Sequence, residues 1–345
     1  MAKILILGAG AMGSAFSNPC IDRNHNVAII GTHLEDQLIE KINQNKKFHP
    51  ALKFKISNKV RILKFSSFFD EAYNSDIIII GVNSRGINWV SDQINILGNY
   101  NKEIILLTKG LHLSEEGKLE ILITKLKKII LSKKISVSGI AGPCLASGLA
   151  NRVNSSVVIV NENLSKAKKL AKMFKTKYYH TNFSSDVIGV EASAALKNIY
   201  SMIIGAGKYL SVKKELKLDN SKIFFNPPGA LISQCLKEMI YVVEKLGGKK
   251  ETVYDLAGLG DLYVSSLGGR NALMGNYLGQ SYTFIEAKRK FMKNDTIEAA
   301  DLIFDIGKKI LKIFPNSKLP LMVSLTKSLL LNKKFTINWS KINNG

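Results

Sequence analysis

Lys197 stands in the stretch Gly189–Gly207, GVEASAALKNIYSMIIGAG, where apolar and small residues run almost without interruption. Such a run predicts a helix buried over most of its surface. Burial disfavours an ammonium ion, so a lysine placed there can work as an acid or base near neutral pH. The structural alternative is an amine that snorkels to the surface or pairs with Glu191 on the same helix. A second polar group, Asn198, adjoins the lysine. Further on, Ala257–Asn271 reads AGLGDLYVSSLGGRN, with glycine pairs framing Asp261, Ser265, Arg270 and Asn271. An arginine behind glycines can grip a phosphate through parallel N–H donors, and Asn271 can add another. A helix-capping loop with a surface arginine would carry the same letters.

The opening residues point to different chemistry. The apolar run KILIL (Lys3–Leu7) leads into Gly8-Ala9-Gly10-Ala11-Met12-Gly13 and then helix-compatible residues. This is the G-x-G-x-x-G of a dinucleotide fold in its strand–turn–helix context. Gly8 permits the tight turn, Gly10 admits the pyrophosphate, and Gly13 lets helix and strand pack closely, with Ala11 and Met12 in the same turn. After the next strand, Val27–Ile30, no acid for a ribose diol appears before Glu35 and no arginine for a 2′-phosphate. Thr32 and His33 are the polar candidates, which leaves both NAD and NADP open.

The elements that must position these groups follow a βα alternation. Strand-like runs recur at Asp76–Gly81, Glu103–Thr108, Ile135–Ser138 and Ser155–Val160, and helical patterns at Ser114–Leu131 and Ser165–Lys175. The pattern predicts a doubly wound parallel sheet of the Rossmann type, α/β in class. Ligands in such sheets sit beyond the carboxyl ends of strands, which makes Asn83, Lys109 and Cys144 candidates. Pro19 falls inside the first helix and predicts a kink or an early end. From about residue 189 helical patterns take over at 190–205, 229–246, 251–257, 296–312 and 320–331. Two domains are expected: a dinucleotide-binding domain over 1–188 and an all-α substrate domain over 189–345.

Composition narrows the function. With 345 residues the chain exceeds one ordinary core. Three scattered cysteines offer neither a disulfide framework nor metal-ligand spacing, so no metal is expected. The start Met1-Ala2-Lys3 leads straight into a strand without a cleavage pattern, and the apolar runs look too short to span a bilayer, so a cytoplasmic protein is expected. The net charge of +22 comes from lysines scattered along the whole chain, with at most three basic residues in a row. No aromatic interleaving accompanies them, which argues against nucleic acid as partner. Charge-driven docking on an anionic membrane has no amphipathic anchor behind it.

Six short motifs then fall in order: GAGAMG at 8–13, TKGL at 108–111, GPCLA at 142–146, ALKN at 195–198, GLGDL at 258–262 and GGRN at 268–271. Together they resemble the NAD(P)-dependent glycerol-3-phosphate dehydrogenase family, from Ile4 to about Met322. The step from Asp261 to Arg270 is similar to that of the family's eukaryotic branch. The resemblance implies reduction of dihydroxyacetone phosphate to glycerol 3-phosphate for phospholipid synthesis, by a homodimer. It implies Lys197 as the acid/base at the carbon-2 oxygen, with Lys109 beside substrate and nicotinamide and Asp261 hydrogen-bonding in the site. Arg270 and Asn271 match the residues that hold the substrate phosphate, with Arg270 also touching the cofactor. Gly142 and Ala146 match positions beside substrate and cofactor, Asn198 adjoins the lysine, and Glu298 falls at a cofactor contact. Cys144 stands where bacterial members commonly have Ser or Thr, and reads either as a reactive thiol or as a small buried filler. Gly269 replaces a serine; Ser265, one turn after Asp261, is placed to compensate. The competing readings are a dehydrogenase of like architecture for another 2-keto or 3-hydroxy compound, and a cofactor-sensing protein without turnover.

Overall fold

The computed structural model describes residues 1–98, 100–132, 135–210 and 225–342. The chain opens with β1 (Lys3–Leu7), α1 (Ala11–Asp22), β2 (Asn26–Ile30), α2 (Asp36–Gln44) and a small hairpin of β3 (Phe48–His49) and β4 (Phe54–Lys55). It continues through β5 (Arg61–Leu63), α3 (Phe68–Asn74), β6 (Ile77–Ile80), α4 (Ile87–Ile96) and β7 (Glu103–Leu106). A second hairpin, β8 (Leu111–Leu113) and β9 (Leu119–Ile121), precedes α5 (Leu122–Ile129). Next come β10 (Ser136–Ala141), α6 (Ala146–Ala150), β11 (Ser155–Val160), α7 (Leu164–Phe174) and β12 (Tyr179–Ser184). The rest is helical: α8 (Val187–Leu210), α9 (Asn226–Leu246), α10 (Lys250–Tyr254), α11 (Asp261–Gly268), α12 (Arg270–Gly279), α13 (Phe284–Phe291), α14 (Glu298–Ile313) and α15 (Pro320–Leu330).

These elements form two compact units. One comprises Met1–Lys109 with Ile121–Glu191; the other comprises Gly110–Glu120 with Ala192 onward.

The first unit is built on an eight-stranded sheet in the order β12-β11-β10-β7-β6-β1-β2-β5. Its central strands are apolar throughout, as with Ile77–Ile80, because helices cover both faces. The sheet is parallel except between β10 and β11, which pair antiparallel. The expected doubly wound parallel sheet is thus present, with one antiparallel step. The linking α6 has only five residues and leans on α1, where Asn18 donates to the carbonyls of Leu149 and Ala150. It is too short to serve as a crossover, so the chain returns antiparallel. Pro19 does not end α1, which runs on to Asp22 with Pro19 and Cys20 buried.

Ser114–Leu131 is not one helix. Its first part is the β8–β9 hairpin, and helix begins only at Leu122. Gly117, at φ +72°, supplies the turn that a helix could not contain.

In the second unit α8 and α12 meet backbone to backbone. A Cβ added at Gly205 would overlap the Ala272 carbonyl, one at Gly275 the Met202 carbonyl, and one at Gly279 the Ala206 carbonyl. Gly275→Ala is expected to destabilise the protein by at least about 2 kcal/mol, because main-chain atoms must part to admit the methyl. Thermal or urea unfolding would check it. By length and composition α8 could cross a bilayer, contrary to the expectation of short apolar runs. Its 24 residues are mostly buried inside the protein, as a core helix requires.

Glu238 of α9 is fully buried and caps α15: its carboxylate accepts the amides of Leu321 at 2.8 Å and Met322 at 3.0 Å. Gln234 and Tyr200 donate to it as well. Burial nevertheless pushes its pKa up to about 7. The folded protein thus keeps a proton that the unfolded chain releases above about pH 4.5. The resulting stabilisation is full below that pH and is lost as pH rises through about 7. In Glu238→Gln this part of the slope should vanish from a pH series of urea midpoints.

Candidate functional site

In the first unit the turn after β1 is shaped by contacts that only glycine allows. Gly8 sits at φ +110°, and a Cβ there would come within 2.9 Å of the Gly81 carbonyl carbon. A Cβ on Gly13 would overlap the Gly8 carbonyl, so α1 begins directly against the strand end. Gly10 is the N-cap of α1, and no side chain caps that end or places an acid in its first turn, which holds Ala11 and Met12. The bare cradle and open amides fit the pyrophosphate of a dinucleotide.

Glu35 lies beside this turn. Its Oε2 accepts the amides of Thr32 at 2.8 Å and Ala9 at 3.1 Å, so the first acid after β2 is folded back onto the glycine loop. Sequence reasoning noted Glu35 without giving it that position. His33 is exposed and its ring lies 4.8 Å from Trp89, which in turn meets Phe65. Trp89 and Phe65 carry no motif and could not be picked out from sequence. Asn83 caps the turn Ser84–Gly86 by accepting the Gly86 amide at 3.1 Å. Lys109, Met12, Gly142 and Cys144 line a small cavity of about 20 Å³, with Phe16 and Tyr179 behind them. Gly142 sits at φ +139°, where a Cβ would press on the Ser156 carbonyl. Cys144 is half-buried and donates its amide to Gly142 O, and Ala146 opens α6.

In the second unit Lys197 has found partners far away in sequence. Its Nζ donates to Asp261 Oδ1 at 2.8 Å and to Ser265 Oγ at 2.6 Å. Lys197 is 9% exposed and Asp261 2%. Asp261 opens α11 directly after a π turn over Leu256–Gly260, and Ser265 follows one turn later on the same face. The amine therefore pairs with Asp261, and the alternative of a Glu191–Lys197 pair is set aside.

A second polar chain starts at α12. Arg270 forms an ion pair with Glu298, the first residue of α14, and both remain partly exposed. Asn271 donates to Asn198 Oδ1 at 3.1 Å and to Glu298 Oε2 at 3.4 Å, while its own oxygen accepts the Ala299 amide. Asn198, Arg270, Asn271 and Glu298 are thus one connected network. What the sequence suggested as a capping loop is two helices, α11 and α12, broken at Gly269. Among the described residues, no group of three His, Cys, Asp or Glu side chains could hold a metal ion.

The chain has relatives over most of its length. Residues 3–167 match the family model for the N-terminus of NAD-dependent glycerol-3-phosphate dehydrogenase, and residues 186–336 match that for its C-terminus. An NADP(+)-dependent glycerol-3-phosphate dehydrogenase of Archaeoglobus fulgidus is 32% identical over 288 residues, covering 82% of each chain. A glycerol-3-phosphate dehydrogenase (NAD(P)+) of Mesoplasma florum is 31% identical over 315 residues, covering 89% of this chain and 88% of its own. Among solved structures, glycerol-3-phosphate dehydrogenase of Coxiella burnetii superposes with TM-score 0.80 at 22% identity, over 96% of both chains. That of Plasmodium falciparum does so with TM-score 0.81 at 19% identity, over 96% of this chain and 92% of its own. At such identities the structures speak for the fold.

Proposed function

Because the chain belongs to the NAD-dependent glycerol-3-phosphate dehydrogenase family, we propose that it reduces dihydroxyacetone phosphate to sn-glycerol 3-phosphate with NADH or NADPH, and that Lys197 is its acid. The observation that carries the reading is the buried Lys197 amine held by Asp261 and Ser265. The bound dinucleotide would supply the hydride that carbon 2 receives. The residues of the chain do the rest. Lys197 gives its proton to the carbon-2 oxygen as negative charge develops there, and recovers one from solvent afterwards. Asp261 fixes the amine in place and favours its protonated form between turnovers. Ser265 holds the third direction of the same ammonium group.

Lys109 is assigned to the substrate side of the first unit, where it lines a cavity with Gly142 and Cys144. Its cationic amine adds to the field that polarises the ketone. Gly8, Gly10, Ala11, Met12 and Gly13 are assigned to the pyrophosphate, with His33, Asn83 and Ala146 along the rest of the cofactor. Arg270 is assigned to the substrate phosphate, with Asn271 and Asn198 behind it and Glu298 towards the cofactor. The reading extends to a cytoplasmic homodimer supplying glycerol 3-phosphate for glycerophospholipids, which light scattering of the purified protein begins to test.

The deciding experiment follows NADH and NADPH oxidation with dihydroxyacetone phosphate and identifies the product by chromatography. Formation of sn-glycerol 3-phosphate supports the proposal. Cofactor binding without turnover of this ketone would move the search to other 2-keto substrates, with Cys144 the first residue to change.

A further inference from the structure

On the second unit, exposed apolar side chains are paired with cations. Ile285 on α13 is 57% exposed, Phe304 on α14 46%, and Leu331, which closes α15, 61%. Each has an exposed cation one helical turn away: Arg289 after Ile285, Lys308 after Phe304 and Lys327 before Leu331. Lys333 and Lys334 follow Leu331 closely and are exposed too. Contacts tie the three helices together. The Phe284 and Phe304 rings meet edge to face at 5.5 Å, and a Cβ on Gly307 of α14 would press on Thr326 and touch Leu330 of α15. Asn332, at φ +47°, accepts the Ile285 amide at 3.1 Å, which pins the turn after Leu331 to the start of α13.

A single exposed apolar residue is ordinary, but a group of them among charges of one sign marks a contact surface. Nearby acids cancel little of that charge. Glu286 is folded onto the start of α13, where it accepts the Thr283 amide at 2.8 Å, and α15 contains no acid. Asp305, beside Phe304, is exposed, and Asp301, one turn earlier, is half-buried. The chemistry selects the occupant. A second copy meeting this face about a two-fold axis would set cations against cations. Ile285 and Leu331 are aliphatic and cannot stack on unpaired bases as a nucleic-acid surface requires. An anionic lipid surface accepts both parts: the apolar side chains enter the headgroup boundary while the lysines stay among the phosphates.

We propose that the face bearing Ile285, Phe304 and Leu331 among its lysines docks the protein reversibly on anionic phospholipid membrane, without spanning it. No one stretch of sequence reads as an amphipathic anchor because this one is assembled from three helices that only the fold brings together. Each lysine near such a surface strengthens attachment by about fivefold, and salt weakens it by screening. The apolar side chains hold the protein once charge has brought it there. Attachment is separate from the proposed reaction, so its readouts involve no turnover.

The test is pelleting with sucrose-loaded vesicles of phosphatidylcholine alone, or of phosphatidylcholine with about one-third phosphatidylglycerol. Wild type should pellet with the anionic vesicles only, and less as salt rises. Lys327→Glu with Lys333→Glu and Lys334→Glu should weaken this by about a hundredfold or more. Ile285→Ser with Leu331→Ser, which leaves every charge in place, should weaken it by about tenfold or more. The control is Lys168→Glu with Lys169→Glu and Lys172→Glu on α7, which makes the same change in net charge on an exposed helix of the first unit and should bind like wild type. Thermal unfolding confirms that each variant is folded. Failure of wild type to pellet overturns the proposal, as does an equal loss in the α7 control, which would make the attachment a property of the whole +22 charge. A changed mass of both face variants in light scattering overturns it in favour of an interface between copies. Equally tight binding of wild type to single-stranded RNA, lost in the same variants, overturns it in favour of nucleic acid. If the serine variant does not fold, the lysine variant and its α7 control carry the test.

Discussion

Lys197→Met is expected to lower kcat for dihydroxyacetone phosphate by about 10²–10⁴-fold, the usual worth of a positioned proton donor, while NADH binding persists. The variant also strands Asp261, a carboxylate 2% exposed that loses its ammonium partner while keeping its contact with Ser265. Breaking one side of a buried ion pair typically costs about 3–5 kcal/mol, so loss of activity alone could reflect a weakened protein. Asp261→Asn in the same chain removes the stranded charge. The double variant should regain most of the lost stability, measured by urea unfolding, and none of the activity. Recovery of turnover in the double variant would show that the lysine is structural. Lys197→Arg should not rescue either, since a guanidinium does not give up its proton at these pH values.

The parts of this site that could be read in the sequence are those whose cause is local. Gly8 and Gly13 announce themselves because a tight turn against a helix start excludes side chains, while Gly10 faces open space, and the apolar runs of β1, β6 and β7 mark a sheet covered on both faces. Pairings across the chain were out of reach. Glu191 and Lys197 look like natural partners by proximity, yet six residues of helix turn them about 120° apart, onto different faces. Asp261, 64 residues further on, takes the lysine instead. The β8–β9 hairpin was hidden because Glu115, Glu116 and Lys118 are good helix formers. The φ of Gly117 and the Ser114–Lys118 hydrogen bond override them. Asn83 shows another limit: the sequence places it at a strand end, and only the structure shows that its side-chain oxygen also caps the next turn.

Arg270→Ala is expected to lower kcat/KM for dihydroxyacetone phosphate by about 10²-fold or more, chiefly through KM, because two charge-assisted hydrogen bonds to the phosphate are lost. The effect on stability should be small. The Arg270–Glu298 pair is half-exposed, with side-chain accessibilities of 53% and 39%, and such pairs contribute about 0–1 kcal/mol. That same weakness suits the proposed role. A guanidinium carries five N–H donors, so Arg270 can keep one on Glu298 and still turn others outward, or exchange the carboxylate for a phosphate at little cost. Asn271 cannot do so, since its amide already ties Asn198, Glu298 and the Ala299 amide together. Arg270→Lys keeps the charge without the fork and should recover only part of the loss, remaining about tenfold below wild type. Dihydroxyacetone, which lacks the phosphate, separates binding from architecture. Wild type should strongly prefer the phosphorylated ketone, and in Arg270→Ala that preference should shrink while the slow rate on dihydroxyacetone stays as it was. Equal losses on both ketones would make the arginine a support for α14 and leave the phosphate to be held elsewhere.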